Sequence, residues 1–168
     1  MAETVDLVDC VDRGTFQHGM SHLGAAVNIV TTSLAGSPFG FTASAVCSVS
    51  DTPATLLVCI NRTSSCFPAF EQTRFFCVNT LAPGHQDLSN LFGGKTEMAS
   101  RFAQGTWHEG RGGVPVLSDA LVSFQCRLVE AVDHATHRIL FGQVMEIETA
   151  QAKDALLYVA RRYHVVNS

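Results

Sequence analysis

The sequence predicts a mainly β protein, an antiparallel barrel with short peripheral helices formed as one domain over residues 1–168. Three observations carry that reading. About seven short runs rich in apolar and β-branched residues are punctuated by Gly, Pro, Asp and Ser. No regular strand–helix alternation links them, which argues against a doubly wound parallel sheet. One run, Phe41-Thr-Ala-Ser-Ala-Val-Cys-Ser-Val-Ser50, alternates with the period of two that puts successive side chains on opposite faces of a strand.

Taken in order, Asp12 is a plausible N-cap for a helix running to about Leu23. Ala26–Thr32 reads as a β-branched strand, and Ala35-Gly-Ser-Pro38 supplies a turn into the alternating strand, so a hairpin is expected. Asp51-Thr-Pro53 breaks the chain before strand Thr55–Ile60. Helices fit Ser64–Glu71, His85–Phe92 and Thr96–Gln104, with a strand over Phe75–Leu81. A loop with Gly105, Gly110, Gly112, Gly113 and Pro115 follows, then strands Leu121–Ala131, Ile139–Glu148 and Leu156–Ala160.

The alternating strand raises a chemical question. Phe41, Ala43, Ala45, Cys47 and Val49 fall on one side, suited to a core, while Thr42, Ser44, Ser48 and Ser50 give the other side hydroxyls without bulk. A solvated strand face more often carries Lys, Glu or Arg. Two readings stand at this point: a Ser-rich edge strand, or a ledge for a flat polar ligand.

Composition narrows the function classes. With 46% hydrophobic and 15% charged residues the chain is a compact globule, and a net charge of −4 gives no footprint for nucleic acid or an anionic membrane. Low charge and positive mean hydropathy suggest apolar surface hidden in an oligomer. No apolar run approaches bilayer-spanning length, and the acidic start Met1–Asp9 lacks a signal peptide's basic residues, so a cytoplasmic location is expected. Of six cysteines, none forms a C-x-x-C pair; Cys47, Cys59, Cys77 and Cys126 lie in strand-like runs and read as reduced core residues.

Several motifs are weighed and set aside. Phe92-Gly-Gly-Lys-Thr96 resembles the tail of a phosphate loop, but Ser89 stands where that loop needs its first glycine. Lys95 is then either a solvated loop lysine or a contact for a phosphate. No G-x-G-x-x-G or G-x-S-x-G occurs. His18 and His22 are four apart without the H-E-x-x-H glutamate, and no metal site is expected. Asn61-Arg-Thr-Ser-Ser65 ends a strand and enters a helix, which suits either plain capping or an anion site. Beside a hydroxyl-faced strand and Lys95, a flat phosphorylated cofactor is the better combined reading.

Read together, Gly24–Thr32, Gly40–Pro53, Leu57–Arg62, Cys77–Leu81, Leu91–Thr96, Ala135-Thr-His137 and Leu157–His164 resemble the flavin reductase family built on the FMN-binding split barrel. The resemblance runs from Phe16 to about Val166. It is closest to the reductase partners of two-component flavin monooxygenases, such as 4-hydroxyphenylacetate 3-monooxygenase, and to the Rut-pathway FMN reductases. It implies an antiparallel, Greek-key split barrel and an NAD(P)H:flavin oxidoreductase. Such an enzyme uses FMN or FAD with NADH or NADPH and supplies reduced flavin to a partner monooxygenase.

It also implies roles for named residues. Thr42, Ala43, Ser44 and Ala45 would lie beside the isoalloxazine; Asn61, Arg62, Thr63, Ser64 and Ser65 would hold the ribityl chain and phosphate; Phe92 and Lys95 would close over the flavin. His137, in place of the histidine of the family's Gly-Asp-His signature, would serve the nicotinamide and the catalytic step, with Tyr158 and Arg161 on the nicotinamide nucleotide. Here the signature reads Ala-Thr-His. A homodimer is implied as well. Two other classes share this architecture, a non-catalytic FMN-binding or sensing protein and an oxidase of the pyridoxine-phosphate type; the segments Ala135–His137 and Tyr158–His164 favour the reductase.

Overall fold

The computed structural model describes residues 10–151 and 154–167. Its first element is helix α1 (Arg13–Ser21), capped by Asp12, whose Oδ1 accepts from the amides of Gly14 and Thr15. The strands are β1 (Ala25–Ala26), β2 (Asn28–Leu34), β3 (Ser37–Ala43), β4 (Val46–Asp51), β5 (Ala54–Asn61), β6 (Phe75–Thr80), β7 (Trp107–Glu109), β8 (Pro115–Leu117), β9 (Val122–His134), β10 (His137–Thr149), β11 (Ala155–Val159) and β12 (Arg162–Val166). Three further helices are α2 (Phe67–Gln72), α3 (Gln86–Gly93) and α4 (Met98–Phe102).

Seven strands form one antiparallel sheet in the order β3-β2-β6-β9-β10-β5-β4. Its two end strands, β3 and β4, are separated in the chain only by Ser44 and Ala45. Three virtual bonds of about 3.8 Å cannot span a flat seven-stranded sheet, so the sheet must curl until its ends nearly meet. Bulges in the β9–β10 pairing, at Phe141/Gly142 and Val144/Glu146, assist that coiling. Gly142 lies at the first of these bulges, where a Cβ would stand 2.4 Å from Phe76 Cζ. The barrel interior is filled by Val30, Phe41, Val58, Ile60, Phe76, Val78 and Leu140, with Phe70 of α2 as its plug.

The alternating run of residues 41–50 is therefore not one strand but two. Phe41 and Ala43 are buried as their parity requires, yet Cys47 and Val49 are exposed, Val49 at 46%. The chain changes sheet edge at Ser44–Ala45, and the face assignment does not carry across. Cys47 is accordingly no core residue, whereas Cys66, Cys77 and Cys126 are buried and all six cysteines are free.

Other boundaries shift for local reasons. The hairpin β2–β3 forms as expected, turning on Ala35 and Gly36 at φ 50° and 78°. α2 begins at Phe67 rather than Ser64, because residues 61–66 are spent in turns, with Ser64 N bonded to Asn61 O and Phe67 N to Ser64 O. The Gly-rich loop contains the small β7–β8 ribbon. β12 was not anticipated: it pairs with β11 through Ala160 and Arg161, both left-handed (φ 50° and 60°) although neither is glycine or asparagine. With β1 these two strands make a separate three-stranded sheet, tied to the barrel where Val27 N meets Leu156 O and Leu81 N meets Val27 O.

A cleft at the split in the barrel

The two-residue break between β3 and β4 opens a cleft of about 560 Å³ at the split. Its floor is Phe41, Thr42, Ala43, Ser44 and Ala45, small except for the buried Phe41. Ala45 O accepts from Cys59 N across the gap, which fixes the break against β5, while the amides of Ser44 and Ala45 have no backbone partner among the described residues. A strand end that presents free amides and no bulk admits a planar ligand edge-on to its polar groups.

One wall is the turn after β5. Asn61 Oδ1 accepts from both the amide and the hydroxyl of Thr63 at 2.9 Å, an Asx-type turn that sets Thr63, Ser64 and Ser65 along the cleft. The opposite wall is the end of α3, with Phe92, Gly93, Gly94 and Lys95. α3 is held on β3 by Thr42 Oγ1, which donates to Ser89 O at 2.6 Å, so this hydroxyl serves the scaffold as well as the cleft. Phe92 reaches β3 because residue 40 is glycine: a Cβ there would lie 2.9 Å from Phe92 Cε1. Phe92 is itself buried, edge-on to Phe102, and forms the base of the wall rather than a mobile cover.

His137 opens β10 directly opposite Asn61 and lines the cleft's rim. Its Nδ1 shares a 2.8 Å hydrogen bond with Thr136 Oγ1. The preceding Ala135 keeps a left-handed φ of 48°, the conformation that the glycine of the family signature would adopt more cheaply.

The electrostatics are one-sided. Lys95 and Arg101 line this cleft and no carboxylate does, in a chain of net charge −4. Four features that favour an anion thus converge: two cations, the hydroxyls of Thr63, Ser64 and Ser65, unpartnered amides, and no acid. Cys59 also lines the cleft, and burial pushes its thiol up, which keeps it neutral and unreactive there.

A second cleft, of about 320 Å³, shares Thr42, Ala43, Ser44, Gly93 and Gly94 with the first. Its far side is Val27, Ser89, Asn90, Tyr158 and Tyr163. The Tyr163 hydroxyl donates to Asn90 Oδ1 at 2.8 Å and lies 2.9 Å from Ser89 Oγ, which locks β12 onto α3. Tyr158 packs edge-on to Tyr163 with ring centroids 5.1 Å apart. The two clefts adjoin at Ser44.

Sequence reasoning placed Thr42, Ala43, Ser44, Ala45, Asn61, Thr63, Ser64, Ser65, Phe92, Lys95 and His137 near one another, and the fold brings them round the first cleft. Tyr158 stands in the second. Arg62 and Arg161 line neither cleft. Arg62 is exposed; Arg138, hydrogen-bonded to Asp133, holds that carboxyl below the usual range with a smaller contribution from Arg62. Arg101 and Tyr163 were missed. An arginine in a helical segment reads as surface; Tyr163 lies in Leu157–His164, whose family resemblance was the signal that could have found it. Among the described residues no three His, Cys, Asp or Glu side chains group to hold a metal, and no helix is long and apolar enough to cross a membrane.

Residues 20–167 match the family described as flavin reductase like domain. The chain is 52% identical over 153 residues, 91% of its length and 81% of the relative's, to the FMN reductase (NADH) RutF of Acinetobacter baylyi. A crystal structure from Haemophilus somnus, solved as a candidate flavin reductase, superposes with a TM-score of 0.90 at 42% identity, covering 93% of this chain and 100% of that one. The bacterial protein BorF, the flavin reductase component of a two-component tryptophan halogenase, superposes with a TM-score of 0.86 at 27% identity, covering 94% and 99%.

Proposed function

The chain belongs to the flavin reductase like family, and from that premise we propose that it is an NADH-dependent FMN reductase releasing reduced flavin to a separate monooxygenase. One observation carries the reading: the split in the barrel is a cleft floored by small residues and walled by cations without a carboxylate, and it opens directly onto a second, tyrosine-lined cleft. The first fits a flat ring ending in a phosphate. The second fits a nucleotide laid against it.

The chemistry supplied by the two ligands is hydride transfer from nicotinamide C4 to flavin N5. This chain's residues act by placement. Ala43, Ser44 and Ala45 leave room for the ring, and the free amides of Ser44 and Ala45 suit its polar edge. Lys95 and the Thr63–Ser65 hydroxyls suit the phosphate. His137, fixed by Thr136, bounds the rim where the nicotinamide would approach, and Tyr158 bounds the neighbouring cleft. Holding two reactants in near-attack geometry contributes several kcal/mol, up to about 7–11, without a protein acid or base.

The cleft is lined by protein groups in an open rim, in keeping with a flavin that exchanges with a diffusing oxygenase. BorF, similar in structure, is the flavin reductase component of a two-component tryptophan halogenase. A second copy of the chain is the proposed cover for the exposed apolar side chains Val49, Val129, Met145 and Ile147 on β4, β9 and β10; sedimentation as a monomer at micromolar concentration would exclude it. Six free thiols fit a reducing compartment, in keeping with a cytoplasmic enzyme.

The deciding experiment is a steady-state assay crossing NADH and NADPH with riboflavin, FMN and FAD. NADH oxidation should be fastest with FMN. Tight FMN binding with no NADH oxidation would make the protein a flavin sensor instead.

A further inference from the structure

The geometry points to Arg101 as the positioning residue that makes the α3 wall of the first cleft accept a phosphate. This rests on the function proposed above and concerns one ligand group of the same site. Arg101 is 3% exposed, and no carboxylate pairs with it among the described residues. Its guanidinium donates to four main-chain carbonyls instead: Nε to Thr96 O at 2.9 Å, Nη1 to Gly40 O and to Phe92 O at 3.0 Å each, and Nη2 to Gly94 O at 2.9 Å. These carbonyls come from β3, the last turn of α3 and the loop carrying Lys95.

Two consequences follow from the chemistry. α3 ends at this wall, where a helix carries roughly half a negative charge on its unsatisfied carbonyls, a surface that repels an anion. Arg101 takes one of those carbonyls, Phe92 O, and the one just past the helix, Gly94 O, and sets a positive charge behind them. The same four bonds set the path of Gly93-Gly94-Lys95-Thr96 and so aim Lys95 along the cleft. A buried cation is ordinarily paired with an acid; here carbonyl dipoles satisfy its donors and leave its charge unmatched, and the complementary charge is the ligand's phosphate. Lysine, a single nitrogen with three donors, cannot span four carbonyls as the planar fork does.

The test compares FMN and riboflavin, which differ only in the phosphate, as ligands of Arg101→Lys, Lys95→Met and the double variant. Arg101→Lys keeps the charge and loses the fork. We expect its Kd for FMN to rise about ten-fold or more while the Kd for riboflavin rises by no more than about two-fold. In the Lys95→Met background the same substitution should add less than about two-fold, because its effect runs through Lys95. Equal loss for both flavins would reduce Arg101 to a scaffold residue, and full retention of FMN affinity, or effects that simply add, would equally overturn the inference. In wild-type protein, hydrogen exchange at amides 93–97 should slow with FMN and much less with riboflavin; equal slowing refutes the link even if the variants do not fold. Failure of wild-type protein to bind either flavin would instead refute the proposed function.

Discussion

Replacing Ser44 by tryptophan tests the ledge directly. Ser44 is exposed, floors both clefts, and its hydroxyl makes no hydrogen bond among the described residues, so the substitution should change folding stability by no more than about 0.5 kcal/mol. Its effect on binding should be far larger. An indole at this point stands in the junction of the two clefts and gains by lying in one of them. If about 100 Å² of its surface, roughly half of what a tryptophan can bury, is covered there, the gain is about 2.5 kcal/mol at 25 cal/mol/Å². Any ring that binds must first expel it, so Kd for FMN should rise by about 70-fold. Flavin fluorescence titration measures the affinity, and urea unfolding of the same preparation checks the fold. An FMN affinity within about three-fold of wild type, with an unchanged urea midpoint, would show that the ring does not lie on this break, and the cleft assignment would fall.

Two further expectations concern the rim and the core. His137→Ala should raise KM for NADH several-fold more than KM for FMN, because the ring bounds the side open to the nicotinamide; equal changes in the two constants would remove its assigned role. Stability should fall with pH above about 9: burial pushes the Cys126 thiol up to about 12 from 9.0, so between those values the unfolded chain has released a proton that the folded one retains. The loss is about 1.4 kcal/mol per pH unit for this group, about 2 kcal/mol by pH 10.5, and absent below pH 9. Cys66 and Cys77, also raised by burial, act in the same direction. Urea midpoints at pH 8 and about 10.5 in wild type and Cys126→Ala measure it, and an equal decline in both proteins would refute the attribution.

Much of this protein was legible in its residues. Period-two runs and β-branched composition located the main-sheet strands, Asp12 marked the start of α1, and the Ala35–Pro38 turn chemistry predicted the first hairpin. The small residues at 43–45, the hydroxyl cluster at 61–65 and Lys95 point in combination to a phosphate-bearing flat ligand, though none does so alone. These features are local: side-chain size, branching and hydrogen-bonding capacity act on the residue's own backbone and its nearest neighbours.

What stayed hidden depends on which distant segments come together. Alternation runs unbroken through Ser44 and Ala45, yet the chain there passes from one end of the sheet to the other, because period two specifies opposite faces and not which edge a strand joins. The turn at Ala160–Arg161 carries no glycine or asparagine, so β12 had no local marker, although Leu157–His164 carried the family resemblance; Tyr163 ties the hairpin to α3 through Asn90. Arg101 sits in a helical segment that reads as surface, and becomes the buried hub of the cleft wall only once β3, α3 and the loop close round it. Residue chemistry chose the elements and the kind of ligand. The curl of one sheet, forced by a two-residue link between its ends, decided where the cleft lies and which cation stands behind it.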